Sequence, residues 1–391
     1  MTNKVIGRFT LLAYLMLVAI GAALNVVGVI TNQVATAFGV DNATVGYCFS
    51  LFSVGYAIAI LGNGFILAKV DVRKETMVAS LVATVAVIGA ISMKSLMTFS
   101  FFVFIYGLGY GVLCSLGYAL IVKLYCNEAE RSSKLNILNF FFSVGAIVTP
   151  ILAGLALEHG ISWKTVLIGT LLPVLAVILM ALGQRRAVKL ADEPATEAWS
   201  DNEPWNAKIY VIGLAMGCYV VSEMTFSYWV VTYMMEKLDL DIAVASMFLS
   251  IFWGFMAIGR FSTGVFIAKV NTVNYLLGAS GVAFITFFGI LSVQSTYLSM
   301  AMVAVLGLGY SGLYATLVAY GTDLLSRPSP KLTTFFLTIG AGAGILSFIV
   351  SSYIKQLFDF SATMLLSLVL MGAVFGFTFL VGKVLDNKAF R

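Results

Sequence analysis

Gly64-Phe-Ile-Leu-Ala68-Lys69-Val70 returns two hundred residues later as Gly264-Val-Phe-Ile-Ala268-Lys269-Val270. A second string, Gly107-Leu108-Gly109-Tyr110, returns at the same offset as Gly307-Leu308-Gly309-Tyr310. Either string alone is within reach of chance. Two at one offset, each at the matching place in the hydrophobic pattern of 391 residues, mark a duplicated half. A duplicated and almost wholly apolar chain is the pattern of a two-lobed membrane transporter with its site between the repeats.

Sixty per cent of the residues are hydrophobic and 10% charged, too few charges to cover a water-soluble domain of this size. Runs of about 20 apolar residues cross a bilayer as helices. Twelve are predicted, over 9–37, 43–68, 76–93, 97–123, 134–158, 164–183, 208–236, 242–269, 273–293, 297–323, 331–356 and 361–383. With the N-terminus in the cytoplasm, eighteen Lys and Arg fall in cytoplasmic loops and ends. Only Lys94, Lys164, Lys237 and Lys355 fall on the other side, and Arg260 lies inside a span. That bias places both termini in the cytoplasm. The net charge of +5 then reports on topology and contact with anionic membrane lipids rather than on nucleic acid, for which no basic run with interleaved aromatics argues. Lys4 and Arg8 precede a run too long for a secretory signal, so it reads as the first span.

Residues 184–207 form the one long polar stretch, acidic and broken by Pro194 and Pro204, and read as a linker. The domains expected are therefore an N-terminal six-helix lobe, 1–183, that linker, and a C-terminal six-helix lobe, 208–391. Enzyme chemistry finds little to work with. The sequence lacks a GxxxxGK[ST] phosphate loop, an HExxH and a GxSxG, and its only histidine, His159, reads as a loop residue. Cys48, Cys114, Cys126 and Cys218 stand singly, without CxxC spacing, so neither a disulfide framework nor a metal cluster is expected.

What remains is polar material among the spans, costly there and so informative. Glu223 lies about 15 residues into the seventh span, or about 22 Å, near mid-membrane. An ionised carboxylate is poorly solvated at that depth, so Glu223 could carry a proton, or make a structural hydrogen bond to a neighbouring helix. Tyr219 and Ser227, four residues to either side, share its face. Arg260 could pair with Glu223 or with an anionic solute, or anchor its helix by snorkelling. Asn25 sits near mid-membrane in the first span. Tyr110 and Tyr310 are the repeat-related tyrosines halfway along the fourth and tenth, with Tyr314 one turn on. Taken singly these are packing or interhelical glue. If spans one, four, seven and ten surround one cavity, they converge with Glu223 on a site suited to a polar, ring-bearing solute or a drug-like cation. Asn63, Asn136 and Asn139 read as caps and loop anchors, with gating as the alternative. Gly340, Gly342 and Gly344 read as a seam for close helix contact.

The whole chain resembles the major facilitator superfamily in its twelve spans, 6+6 duplication, charged central loop, and basic loops after spans two and eight. That superfamily's loop signature runs roughly G-x-x-x-D-R-x-G-R-R. Here it reads Gly64, Ala68 in place of the Asp, Lys69, then Asp71, Arg73 and Lys74. The resemblance implies a gating role for Lys69, Asp71 and Arg73, and for Lys269 in the second copy. Tyr219-Val-Val-Ser-Glu223 with Trp229 and Tyr233, and Phe252-Trp253-Gly254 with Gly259-Arg260, resemble the fucose–proton symporter-like and TsgA-like branch. Members of the fucose–proton symporter-like branch largely move neutral sugars with protons, and TsgA-type proteins, of unknown substrate, lie close to it. The branch's A-L-N-D appears as Ala23-Leu24-Asn25-Val26, and its polar position after the glycines of span four is Cys114.

The fold expected is all-α, with twelve transmembrane helices in two pseudo-symmetric six-helix bundles. The function expected is secondary active transport of a small polar solute, a sugar or related metabolite, by alternating access. No cofactor is expected, with a proton gradient as the energy source. Asn25, Tyr110, Tyr219, Glu223, Ser227, Tyr310 and Tyr314 would bind the solute, and Glu223 with Arg260 would couple protons. The alternative is a proton-driven exporter of drugs, metabolites or siderophore-like molecules. A monomer in a bacterial inner membrane suffices for either.

Overall fold

The computed structural model describes residues 3–63, 70–125, 127–184, 205–266, 270–325 and 330–385. Among them are twelve helical spans long and apolar enough to cross a membrane, from Val5–Phe38 to Phe360–Lys383. Two of the spans are broken. In chain order the helices are α1 (Asn3–Phe38), α2 (Asn42–Asn63), α3 (Val72–Ser92), α4 (Leu96–Leu124), α5 (Glu128–Glu158), α6 (Trp163–Gly169) and α7 (Leu171–Leu182). There follow α8 (Ala207–Leu238), α9 (Ile242–Phe266), α10 (Thr272–Ser292), α11 (Thr296–Tyr310), α12 (Leu313–Thr322), α13 (Pro330–Leu357) and α14 (Phe360–Phe379). A short π-helical turn, Leu380–Leu385, closes the described chain. Lys69, Lys269 and most of the 184–207 stretch lie outside the described residues.

The chain divides into two compact units. Unit 1 holds Met1–Thr196 with Asp241–Ser250, and unit 2 holds Glu197–Leu240 with Ile251–Arg391. In unit 1, α4 packs on α2 and α3, and α1 on α5. In unit 2, α8 packs on α13 and α14, and α10 on α11 and α14.

The duplication is visible in what starts and stops these helices. Asp71 caps α3 through the Arg73 amide at 2.7 Å, and Asn271 caps α10 through the Asn274 amide at 3.1 Å. Each satisfies an N–H that has no partner inside its own helix. At the far end of the first helix of each unit the chain turns left-handed, at Gly39 (φ 65°) and at Asp239 (φ 51°). Short side chains tolerate that conformation, and it stops the helix.

The second repeated string has a steric reason. A Cβ built on Gly107 would fall on the Phe52 carbonyl, with the Tyr56 amide nitrogen at 2.9 Å. On Gly307 it would meet the Phe252 oxygen at 2.5 Å and the Met256 nitrogen at 3.1 Å. Both glycines let two helix backbones touch, which binds helices where the hydrophobic effect is weak. Gly342 and Gly344, expected in a similar seam, instead face open space.

The breaks in α6–α7 and α11–α12 fall at polar residues that turn on their own backbones. Thr170 donates to the Leu167 carbonyl at 2.7 Å, and Ser311 to the Leu308 carbonyl at 2.7 Å. Tyr310, expected midway along a continuous helix, thus ends α11. Asn139, expected as a cap, accepts from the Tyr118 hydroxyl at 2.6 Å and ties α5 to α4, while Asn127 caps α5.

Candidate functional site

The polar interior of unit 2 is organised around α8. Its residues from Tyr219 to Met234 are nearly all buried, so the helix presents polar groups to protein on several sides. Ser222 has one proton to give. It donates to the Ser367 carbonyl of α14 at 2.7 Å, which leaves the Tyr310 hydroxyl as donor to Ser222 Oγ at 2.6 Å. One turn earlier, the Tyr219 hydroxyl donates to the Tyr310 carbonyl at 3.2 Å. These bonds lock α8 to α11 at the point where α11 ends and hold the surrounding rings. Tyr219 lies 5.7 Å from Tyr310 and 6.3 Å from Tyr314, and Phe252 packs edge-on to Tyr310 at 5.5 Å.

Glu223 stands in this frame with a side chain only 6% exposed. Its Oε1 lies 3.7 Å from Nη2 of Arg260 on α9 and has no hydrogen-bond partner. That separation is an ion pair but too long for a hydrogen bond. The Tyr219 hydroxyl also faces the carboxylate. Arg260, 33% exposed, spreads its guanidinium over the Trp253 ring at 5.8 Å, which gives the cation a second, aromatic partner. Chemically this is a buried acid with one lone-pair face unused, a cation at arm's length, and a wall of tyrosine. It can take up a proton or accept a solute hydroxyl.

Of the residues expected to bind solute, Tyr219, Glu223, Ser227, Tyr310 and Tyr314 belong to unit 2, while Asn25 and Tyr110 belong to unit 1. Four of the five in unit 2 come together as described. Ser227, a turn further along α8, is buried with its hydroxyl unpartnered. In unit 1, the Asn25 amide donates back to Gly21 O at 2.9 Å. Tyr110 is fully buried, packs edge-on to Tyr106 at 4.7 Å and reaches the Thr170 carbonyl at 3.4 Å. Asp71 serves as the α3 cap, and Arg73 donates to the Gln184 carbonyl at 3.3 Å. Sequence reasoning passed over Ser222 and Trp253. Both sat inside quoted motifs, but a serine or tryptophan in an apolar run reads as ordinary packing until its partners are known.

A family model described as Major Facilitator Superfamily matches residues 11–331. Protein TsgA of Shigella boydii serotype 18 is 26% identical over 388 residues, which cover 99% of this chain and 98% of that protein. Protein TsgA of Escherichia coli O6:K15:H31 is also 26% identical over 388 residues, with the same coverage. Among solved structures, a bacterial homolog of the human lysosomal transporter Spinster, inward-facing and unoccupied, superposes with a TM-score of 0.78 at 12% identity, covering 98% of each chain. The nucleoside transporter NupG gives 0.76 at 14% identity, covering 97% of this chain and 99% of its own. A D-xylose–proton symporter gives 0.75 at 13% identity, covering 97% of each. At such identities the structures speak for the fold, and the family model speaks for descent. This integral membrane protein belongs to the Major Facilitator Superfamily of transporters.

Proposed function

We propose that the protein moves a small polar solute, a sugar or related metabolite, across a bacterial inner membrane by alternating access coupled to protons, with both termini in the cytoplasm. The observation that carries this reading is the unfilled hydrogen-bonding face of Glu223 beside a cation with which it makes an ion pair but no hydrogen bond. A charge at the centre of a span costs about 2.5–3.5 kcal/mol on insertion scales, and Arg260 offsets it only in part. When Glu223 takes a proton on Oε1 from water, its charge is neutralised and Arg260 is freed to the face of Trp253. When the proton leaves, the ion pair re-forms. Tyr314, half-buried against the Tyr219 ring, offers a ring face and a hydroxyl to a solute with apolar and hydroxylated sides, while the hydrogen bonds of Tyr219 and Tyr310 hold the wall behind it. Two structural neighbours are a D-xylose–proton symporter and a nucleoside transporter, which agrees with that solute class.

The test is a thermal-shift screen of the purified protein against sugars, nucleosides, amino acids, organic acids and siderophores at two pH values. A stabilising shift with one sugar or nucleoside, dependent on pH and lost in Glu223→Gln, is expected. A response confined to organic cations or siderophores would replace this reading with export.

A further inference from the structure

Glu75 is the other carboxylate sealed among the described residues. It stands in the first turn of α3, is 5% exposed, and neither oxygen has a hydrogen-bond partner. Facing it is the side chain of Asn63, the last residue of α2. Asn63 is 1% exposed, and its amide oxygen and nitrogen are both unpartnered as well. Buried polar atoms are nearly always satisfied, so two neighbouring buried side chains with all four polar atoms unbonded need a reason.

No cation answers it among the described residues. Arg73 and Lys74 on α3 are exposed, Arg73 is engaged with Gln184, and residues one or two apart do not share a helix face. Of the helices packed on α3, α7 carries no charged residue, α4 carries only exposed Lys123, and α6 carries only Lys164, which lies over Trp163. α2 carries none either. A hard metal ion such as calcium takes about six to eight oxygens, and this nook offers two carboxylate oxygens and one amide oxygen. A proton needs one.

We propose that Glu75 and Asn63 form a proton-binding site in unit 1, independent of Glu223. A proton from water adds to one carboxylate oxygen, and the resulting O–H donates to Asn63 Oδ1. The Asn63 amide N–H donates to the other carboxyl oxygen. All four orphan atoms are then engaged. Release returns the proton to water, breaks the hydrogen bond to Asn63 Oδ1 and changes no other covalent bond. The repeat counterparts of these residues are Tyr275 and Thr263, so the site is no relic of the duplicated frame.

Infrared difference spectroscopy of the full chain in lipid, titrated from mildly acidic to mildly alkaline pH, tests this. A protonated-carboxyl C=O band is expected that disappears in Glu75→Gln and persists in Glu223→Gln. In Asn63→Ala the same band should remain but shift in frequency and midpoint, because its hydrogen-bond partner is gone. Should Glu75→Gln not fold, the Asn63→Ala spectrum decides alone, and an unmoved band overturns the site. Identical protonated-carboxyl bands in the wild type and Glu75→Gln at every pH would overturn it too. So would loss of the Glu75 band on exchanging potassium for sodium at fixed pH, which would mark a metal-ion site. The Glu223→Gln spectrum reports on the coupling acid separately, so the two readings fail separately.

Discussion

Units 1 and 2 share a skeleton and differ in what they bury. Gly39 and Asp239 make the same left-handed stop, Asp71 and Asn271 the same cap, and Gly107 and Gly307 the same backbone contact. Where unit 2 places Tyr219, Ser222, Glu223, Arg260 and Tyr314, unit 1 has Ala19, Ala22, Ala23, Ile60 and Cys114. Where unit 1 places Asn63 and Glu75, unit 2 has Thr263 and Tyr275. The frame is held by positions where backbone meets backbone or a cap meets an open amide, and these tolerate few residue types. The buried polar groups sit at positions where a side chain can change without moving a helix, and they differ between the halves.

The largest expected effect tests whether the skeleton is shared. Gly107→Leu and Gly307→Leu each force a side chain onto a neighbouring main chain. Overpacking costs about 1–3 kcal/mol and more where the obstacle cannot shift, so both should melt far below the wild type in detergent. Normal melting of one but not the other would break the equivalence of the two frames.

Next comes the cation. Arg260→Ala removes the counter-charge of Glu223 seen among the described residues, and solute flux in proteoliposomes should fall by about tenfold or more, the equivalent of about 1.4 kcal/mol. Ile60→Ala, the same place in unit 1, should leave flux near normal. Equal losses would show that position 260 matters for packing rather than charge.

The smallest effect concerns the tyrosines. Tyr310→Phe removes a 2.6 Å bond to Ser222, and Tyr110→Phe one of 3.4 Å to Thr170 O. Hydrogen bonds between membrane helices average about 0.6 kcal/mol and reach about 1.7. Tyr310→Phe should therefore lower stability measurably and Tyr110→Phe hardly at all. A double-mutant cycle with Ser222→Ala should show the Tyr310 loss to be shared.

The twelve spans, the duplication and the burial of Glu223 were legible because each rests on a coarse signal: apolar length, an exact offset, or a charge where charge is costly. The breaks at Thr170 and after Tyr310 were not. In a helix apolar on every side no periodicity fails when a turn is interrupted, and a serine or threonine bonded to its own backbone looks like one that is not. The pairing of Arg260 stayed open in sequence because snorkelling and ion pairing ask for the same residue at the same depth. Glu75, one residue before the third expected span, carried no signal in the sequence, since an acid at a helix start is favoured by the helix dipole and is ordinary. Its burial against Asn63 depends on how α2 and α3 pack, which no local pattern records.

If transport chemistry resides in the acid of unit 2, Glu223→Gln separates coupling from movement. With the solute from the thermal-shift screen, proteoliposomes carrying this variant under an imposed proton gradient should show no uphill accumulation. Exchange of solute at equal concentrations should continue. Accumulation at the wild-type level would contradict the account and remove Glu223 from the coupling step.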